Sequence, residues 1–167
     1  TVQYASRYTA QVPLDLGCEM LKETLRDIFK SSPLVWLLAG IGLMSPVWSR
    51  QARKHTFFTH GLLFFSLLSV MPGLYFRRHY FLLLAPAVSL LLGMAVSTAR
   101  NEVSAKAGGR GFPAFLPILI SLAVLAGSLY KHGSFLLGEA PNQLSRSIYG
   151  LNPFPESLEI GKFIREN

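Results

Sequence analysis

Charge is scarce in this chain and one-sided where it occurs. Asp, Glu, Lys and Arg make up 15% of the 167 residues, with 16 basic against 9 acidic. Ordinary globular domains carry roughly a quarter. A single cysteine, Cys18, excludes an internal disulfide and a multi-thiolate metal site. No Asn-x-Ser/Thr acceptor occurs. Also missing are an HExxH pair, Cys/His metal spacing, a glycine-rich phosphate loop behind a strand, and a GxSxG elbow. Zinc-protease, hydrolase and nucleotide-binding readings therefore have no motif to stand on. Gly108-Gly109-Arg110-Gly111 resembles a phosphate loop only in composition, since no strand precedes it.

What the chain does have is hydrocarbon. Half of its residues are hydrophobic and the mean hydropathy is +0.36. The apolar residues gather in four runs, 33–48, 57–76, 80–99 and 112–130, and none of the four contains an Asp, Glu, Lys or Arg. A membrane-spanning helix needs roughly 17 to 25 mostly apolar residues. The last three runs meet that. The first, at 16 residues, does so by drawing on Ile28 and Phe29 or by thinning the bilayer. The alternative, a soluble bundle of four core helices, requires polar faces that these runs lack. The expectation is an all-α polytopic membrane region of about four spans over residues 33–130.

Ahead of it, residues 14–30 read as an amphipathic helix. Leu14, Cys18, Leu21, Leu25 and Ile28 recur at helical spacing. Glu19 with Lys22, Glu23 with Arg26, and Asp27 with Lys30 form i,i+3 pairs on the other face. Such a helix either lies in the membrane interface or packs on another part of the protein. After Tyr130 the composition shifts to Gly, Pro, Ser and Asn. Asn152-Pro153-Phe154-Pro155 forces a turn, and 156–166 reads as a helix with Ile160, Phe163 and Ile164 on one face. Residues 1–32 and 131–167 are thus expected to flank the spans, the latter opening a further domain. With no initiator Met and an abrupt end, the chain reads as a segment of a longer protein.

A net charge of +7 often signals nucleic acid. Here the basic residues are dispersed at the ends of the apolar runs, as in membrane proteins, so no nucleic-acid partner is expected. Counting Lys and Arg near span ends gives six on the side of loops 49–55 and 100–111, and seven on the other. The count is a tie. Charge density, with Glu102 the only acid in those two loops, favours them as cytoplasmic. His60, inside the second run, reads as a packed or snorkelling histidine.

The residues best placed for chemistry are Arg77, Arg78 and His79, in the gap between two apolar runs, with Tyr75 and Tyr80 beside them. Arg offers a planar fork that matches phosphate oxygens bidentately and stays charged. At a span end it meets headgroup phosphate. Pro72-Gly73 should end the preceding helix early, leaving 73–75 as turn backbone. The competing reading is a plain interfacial anchor of Tyr and snorkelling Arg.

The run from Phe76 through Arg77-Arg78-His79-Tyr80-Phe81 and the leucines to Ala85-Pro86-Ala87 resembles a segment of the bacterial relatives of protein O-mannosyltransferases. That family includes the aminoarabinose transferases that act on lipid A. Tyr149-Gly150-Leu151-Asn152-Pro153-Phe154-Pro155 through Ile164 resembles the family's passage into its extracytoplasmic domain, and Pro13-Leu14-Asp15-Leu16-Gly17 adds a third likeness. The resemblance implies a multi-spanning glycosyltransferase using a polyprenyl-phosphate sugar donor on the outer face of the cytoplasmic membrane. It also implies that both termini and the 77–79 gap are extracytoplasmic. Arg77, Arg78, His79 and Tyr80 become candidate contacts for the donor phosphate and headgroup. The family's acidic residue in the first extracytoplasmic loop, its base or metal-associated carboxylate, has no counterpart here. No catalytic residue and no metal ligand is therefore assigned, although the parent enzyme could use a divalent metal. The rival readings are a transporter or flippase segment for an anionic substrate, and a non-catalytic membrane subunit.

Overall fold

The computed structural model describes residues 12–106, 112–138, 140–149 and 156–166, and every regular element among them is helical. Helix α1 (Leu14–Ser31) starts after Pro13, with Asp15 in its first turn, where an acid suits the helix dipole. It breaks at Ser32, and the next helix, α2 (Pro33–Met44), leaves at 102°. Pro33 opens α2, where a missing amide donor does no harm. The corner is fastened by two donors to one carbonyl. Ser31 Oγ reaches Ile28 O at 2.7 Å and Trp36 Nε1 reaches it at 3.2 Å. The rings of Phe29 and Trp36 pack across it at 4.8 Å. An amphipathic helix meeting an apolar one near a right angle is the geometry of a surface helix feeding a span.

A 3₁₀ turn (Ser45–Val47) and a short helix α3 (Arg50–Arg53) lead to α4 (Thr56–Val70). An extended 3₁₀ segment (Arg78–Leu84) then runs into α5 (Ala85–Lys106). A second 3₁₀ turn (Phe112–Phe115) opens α6 (Leu116–Lys131). Pro86 explains the tight winding before α5. An α-helical turn there would drive its ring into the carbonyl of residue 82 and find no N–H to bond.

The core is α2 against α5. Ala87, Val88, Leu91, Leu92, Ala95 and Thr98 form one buried stripe along α5. Facing it, α2 presents the small residues Ala39 and Gly42, followed by Ser45. A Cβ at Gly42 would lie 1.9 Å from the Leu91 carbonyl oxygen, so the backbones touch there and only glycine fits. Small residues that admit such approach are the usual device of helix contacts in lipid.

Burial is inverted on α4. Phe57 is 94% exposed while Thr59 is 4% exposed, and Ser66 is buried too. Phe57, Phe58, Phe64 and Phe65 face outward while Thr59 and Ser66 face inward, which suits hydrocarbon surroundings, where a hydroxyl needs a protein partner. Thr59 Oγ1 donates to His55 O at 3.0 Å.

Two helices among the described residues, Arg78–Lys106 and Pro113–Lys131, are long and apolar enough to cross a membrane, and a third span results if bent α1 and α2 count as one. This is fewer than the four apolar runs suggest. The difference lies in α4, which ends at Val70 rather than near Phe76. Its 15 residues rise about 22 Å, against a hydrocarbon thickness of roughly 30 Å.

On α1 the expected stripe holds at Leu21, Leu25 and Ile28, which pack on the core, and fails at its N-terminal end. Leu14 is 73% exposed and Cys18 is exposed, while Gly17 is buried and Met20, Leu21, Thr24, Leu25 and Ile28 are half-buried. Packing against residues 74–76 requires the close approach that Gly17 permits.

A second compact unit begins at Ala126. It holds the end of α6, a π-helical turn (Ser134–Gly138), α7 (Pro141–Tyr149) and α8 (Ser157–Glu166). Arg146 pairs with Glu156. As expected, α8 carries Ile160, Phe163 and Ile164, all exposed. The turn at 152–155 and the loop at 108–111 lie outside the described residues.

Candidate functional site

The site grows from a helix that is forced to stop. Pro72 and Gly73 end α4, and Leu74 N donates back to Met71 O at 3.0 Å. The chain then takes left-handed backbone angles three times in four residues, at Gly73 (φ 80°), Leu74 (φ 56°) and Phe76 (φ 41°). Glycine adopts that conformation freely, whereas Leu and Phe do so at a cost of about 1–2 kcal/mol each. Such strain persists only where the surroundings over-determine it, and it concentrates at functional segments.

Here α1 supplies the restraint. At Gly17 an added Cβ would stand 3.0 Å from Leu74 Cβ, so the helix backbone presses on the turn. Two helical turns on, Thr24 Oγ1 donates to Phe76 O at 2.9 Å. Phe76 itself is buried in the core with Val70, Phe81 and Leu84. One turn further, Asp27 accepts from Arg78 Nη2. Gly17, Thr24 and Asp27 share one face of α1 by helical spacing and brace the turn at three heights.

Arg77 follows the last left-handed residue in extended conformation (φ −65°, ψ 142°), and its carbonyl accepts the first 3₁₀ bond, from Tyr80 N at 2.9 Å. Its exposed guanidinium lies over the Tyr75 ring, 5.5 Å from the centroid. It has no carboxylate partner among the described residues. Arg78 is held by Asp27 across the surface. With side chains 75% and 47% exposed, that pair contributes at most about 1 kcal/mol, so it orients more than it stabilises. His79 and half-buried Tyr80 meet edge to face at 4.6 Å. Two guanidiniums against one carboxylate leave one net positive charge at the end of a long apolar helix, ringed by Tyr75, His79 and Tyr80. That arrangement can hold one phosphate or similar anion through Arg77 while Asp27 keeps Arg78 in place.

Of the four residues singled out in the sequence, Arg77, Arg78 and His79 are exposed, whereas half-buried Tyr80 packs against the core. The sequence missed their supports. Asp27 is spaced to pair with Lys30, and nothing local announces that its carboxylate also receives Arg78, 51 residues away. Thr24 gave no signal either. Positive φ at Leu74 and Phe76 runs against the preference of both residue types.

The opposite end of α5 is built differently. Ser49 caps α3 by accepting from Ala52 N at 3.3 Å, and Arg53 Nε donates to Pro46 O at 2.9 Å. Buried Ala52 sets this segment beside Ser97 and Thr98 of α5, where a cavity of 430 Å³ is also lined by His55 and Thr59. Loop 49–55 and the C-terminal half of α5 thus share one end of the molecule, and α1 and Arg77–Tyr80 share the other. His60 is half-buried, with Nδ1 3.4 Å from Thr59 Oγ1, a packed residue as expected. Among the described residues no three His, Cys, Asp or Glu side chains converge as a metal site would require. No protein-family model, curated protein or solved structure matches the chain.

Proposed function

We propose that the chain is the C-terminal membrane portion of a glycosyltransferase similar to the protein O-mannosyltransferases and aminoarabinose transferases, and that Arg77 binds the phosphate of a polyprenyl-phosphate sugar donor. The observation that carries this reading is the braced, left-handed turn that presents Arg77 over Tyr75 with no carboxylate partner among the described residues. A plain anchor needs neither backbone strain nor a dedicated carboxylate behind the neighbouring arginine.

In this reading α2, α4, α5 and α6 all cross the cytoplasmic membrane, the bilayer thinning around short α4. Helix α1 lies in the outer interface. Loops 49–55 and 100–111 are cytoplasmic, and residues from 131 onward open an extracytoplasmic domain. Arg77 grips the donor phosphate by its fork, and Arg78, fixed by Asp27, adds positive potential. His79 and Tyr80 offer hydrogen-bond partners to the headgroup or sugar. As the bond from anomeric carbon to phosphate oxygen breaks, negative charge grows on the departing lipid phosphate. A guanidinium already in position then lowers the barrier. The carboxylate that such enzymes use elsewhere has no equivalent in this chain, whose part is to bind and orient the leaving group.

The test is transfer from a polyprenyl-phosphate sugar by the full-length protein carrying Arg77→Ala or Arg77→Lys. Loss of a preorganised donor typically lowers turnover about 100-fold. The lysine variant should recover only part of it, because a point charge cannot replace the fork. Full activity of Arg77→Ala at normal expression would remove the assigned role.

A further inference from the structure

Toward its C-terminal end α5 carries its one arginine, Arg100, and that one sits at the mouth of a groove. Arg100 and Asn101 head a cleft of 460 Å³ between α5 and the first part of α6. Below them the walls are apolar, formed by Leu92, Val96, Ile118 and Leu125. Ser89, Gly93 and Ser97 line it at four-residue spacing, and Ser121 faces them from α6. From Ser89 to Arg100 the helix rises about 16 Å, roughly one leaflet of a 30 Å hydrocarbon core. Arg100 therefore lies at headgroup depth while the cleft runs inward to the acyl region. Its guanidinium stands 6.0 Å from the Phe115 ring centroid, which holds the charge over the mouth. Neither Glu102 nor Lys106 lines the cleft, and their charges, four residues apart on α5, offset each other, so Arg100 is the charge at the mouth.

We propose that this groove is a binding site for one anionic phospholipid, its phosphate on Arg100 and Asn101 and one acyl chain along the apolar walls. A cation at one end, with Leu92, Val96, Ile118 and Leu125 below it among small Ser and Gly side chains, offers a headgroup phosphate its charge and an acyl chain its walls. A zwitterionic phospholipid presents the same phosphate, but its own ammonium offsets much of the attraction to Arg100. The inference rests on α5 and α6 crossing the membrane and is independent of the transferase reading, since it concerns the other end of α5.

The experiment is native mass spectrometry of the full chain in a mild nonionic detergent, titrated with dioleoyl phosphatidylglycerol or dioleoyl phosphatidylcholine. One phosphatidylglycerol per chain should be retained with about five-fold higher affinity than phosphatidylcholine, the factor that one basic residue contributes against an anionic leaflet. Arg100→Gln should abolish that preference, weakening phosphatidylglycerol more than phosphatidylcholine, whose choline cation already offsets part of the attraction. Ser121→Leu, which fills the cleft, should weaken both lipids. Arg50→Gln, exposed and outside the groove, should change neither. Equal affinities in the unmodified chain would overturn the site. So would equal losses in Arg50→Gln and Arg100→Gln, which would mean attraction to a diffuse basic surface.

Discussion

The two ends of α5 hold arginines by opposite means. At the Arg77–Arg78 end the backbone is bent into left-handed angles and braced by Gly17, Thr24 and Asp27 of α1. At the Arg100 end the helix simply continues to Lys106, and the charge leans on one aromatic ring above an open groove. The first end is fixed by several tertiary contacts around its cation, and the second by one ring contact beside a groove of mixed apolar and small polar side chains. A recognition surface that must place one guanidinium relative to one phosphate calls for the first design. A groove that accepts a flexible lipid tail calls for the second.

That contrast can be broken at its root by Gly42→Ala. The new methyl would meet the Leu91 carbonyl and force α2 off α5, on which both ends depend. Overpacking of this kind costs about 3 kcal/mol. Thermal unfolding in detergent should show a large drop, and amide exchange should rise at both ends together.

Gly73→Ala attacks the braced end alone. A Cβ at φ 80° costs about 1–2 kcal/mol, so exchange should quicken at 71–80 and stay unchanged at 97–106. Thr24→Val removes the hydroxyl that holds Phe76 O, a loss of about 1 kcal/mol confined to the same turn. Asp27→Asn should have the smallest effect on stability, about 0.5 kcal/mol for so exposed a pair. Its signature is functional, since freeing Arg78 should alter the affinity for a polyprenyl-phosphate donor while the melting curve barely moves. A melting curve that fell as far as for Gly42→Ala would show the pair to be structural.

The apolar runs announced helices because hydrocarbon content is additive along the chain, and the Pro72-Gly73 stop was visible because both residues act locally. The arginine gap was legible for the same reason, since four consecutive residues need no fold to bring them together. What stayed hidden was relational. That Ala39, Gly42 and Ser45 meet α5 at Leu91 depends on a partner far along the chain, which apolar content does not name. The stripe through Leu14 and Cys18 followed apolar periodicity and missed the face through Gly17, because glycine scores nothing as a hydrophobe yet decides where backbones meet. The length of α4 was overestimated for a related reason. Residues 71–76 are as greasy as a span, so counting hydrocarbon ran the span to Phe76 although Pro72-Gly73 already marked the early stop.

That early stop shapes the surroundings of the arginines as well. In the proposed four-span reading a helix of about 22 Å cannot fill a slab of about 30 Å, so the headgroup surface would dip beside the end of α4. The Arg77 turn then stands on the floor of a shallow basin, with α1 as one of its banks. Water and phosphate can descend into such a basin, and a long-chain lipid can raise its headgroup there without leaving the membrane.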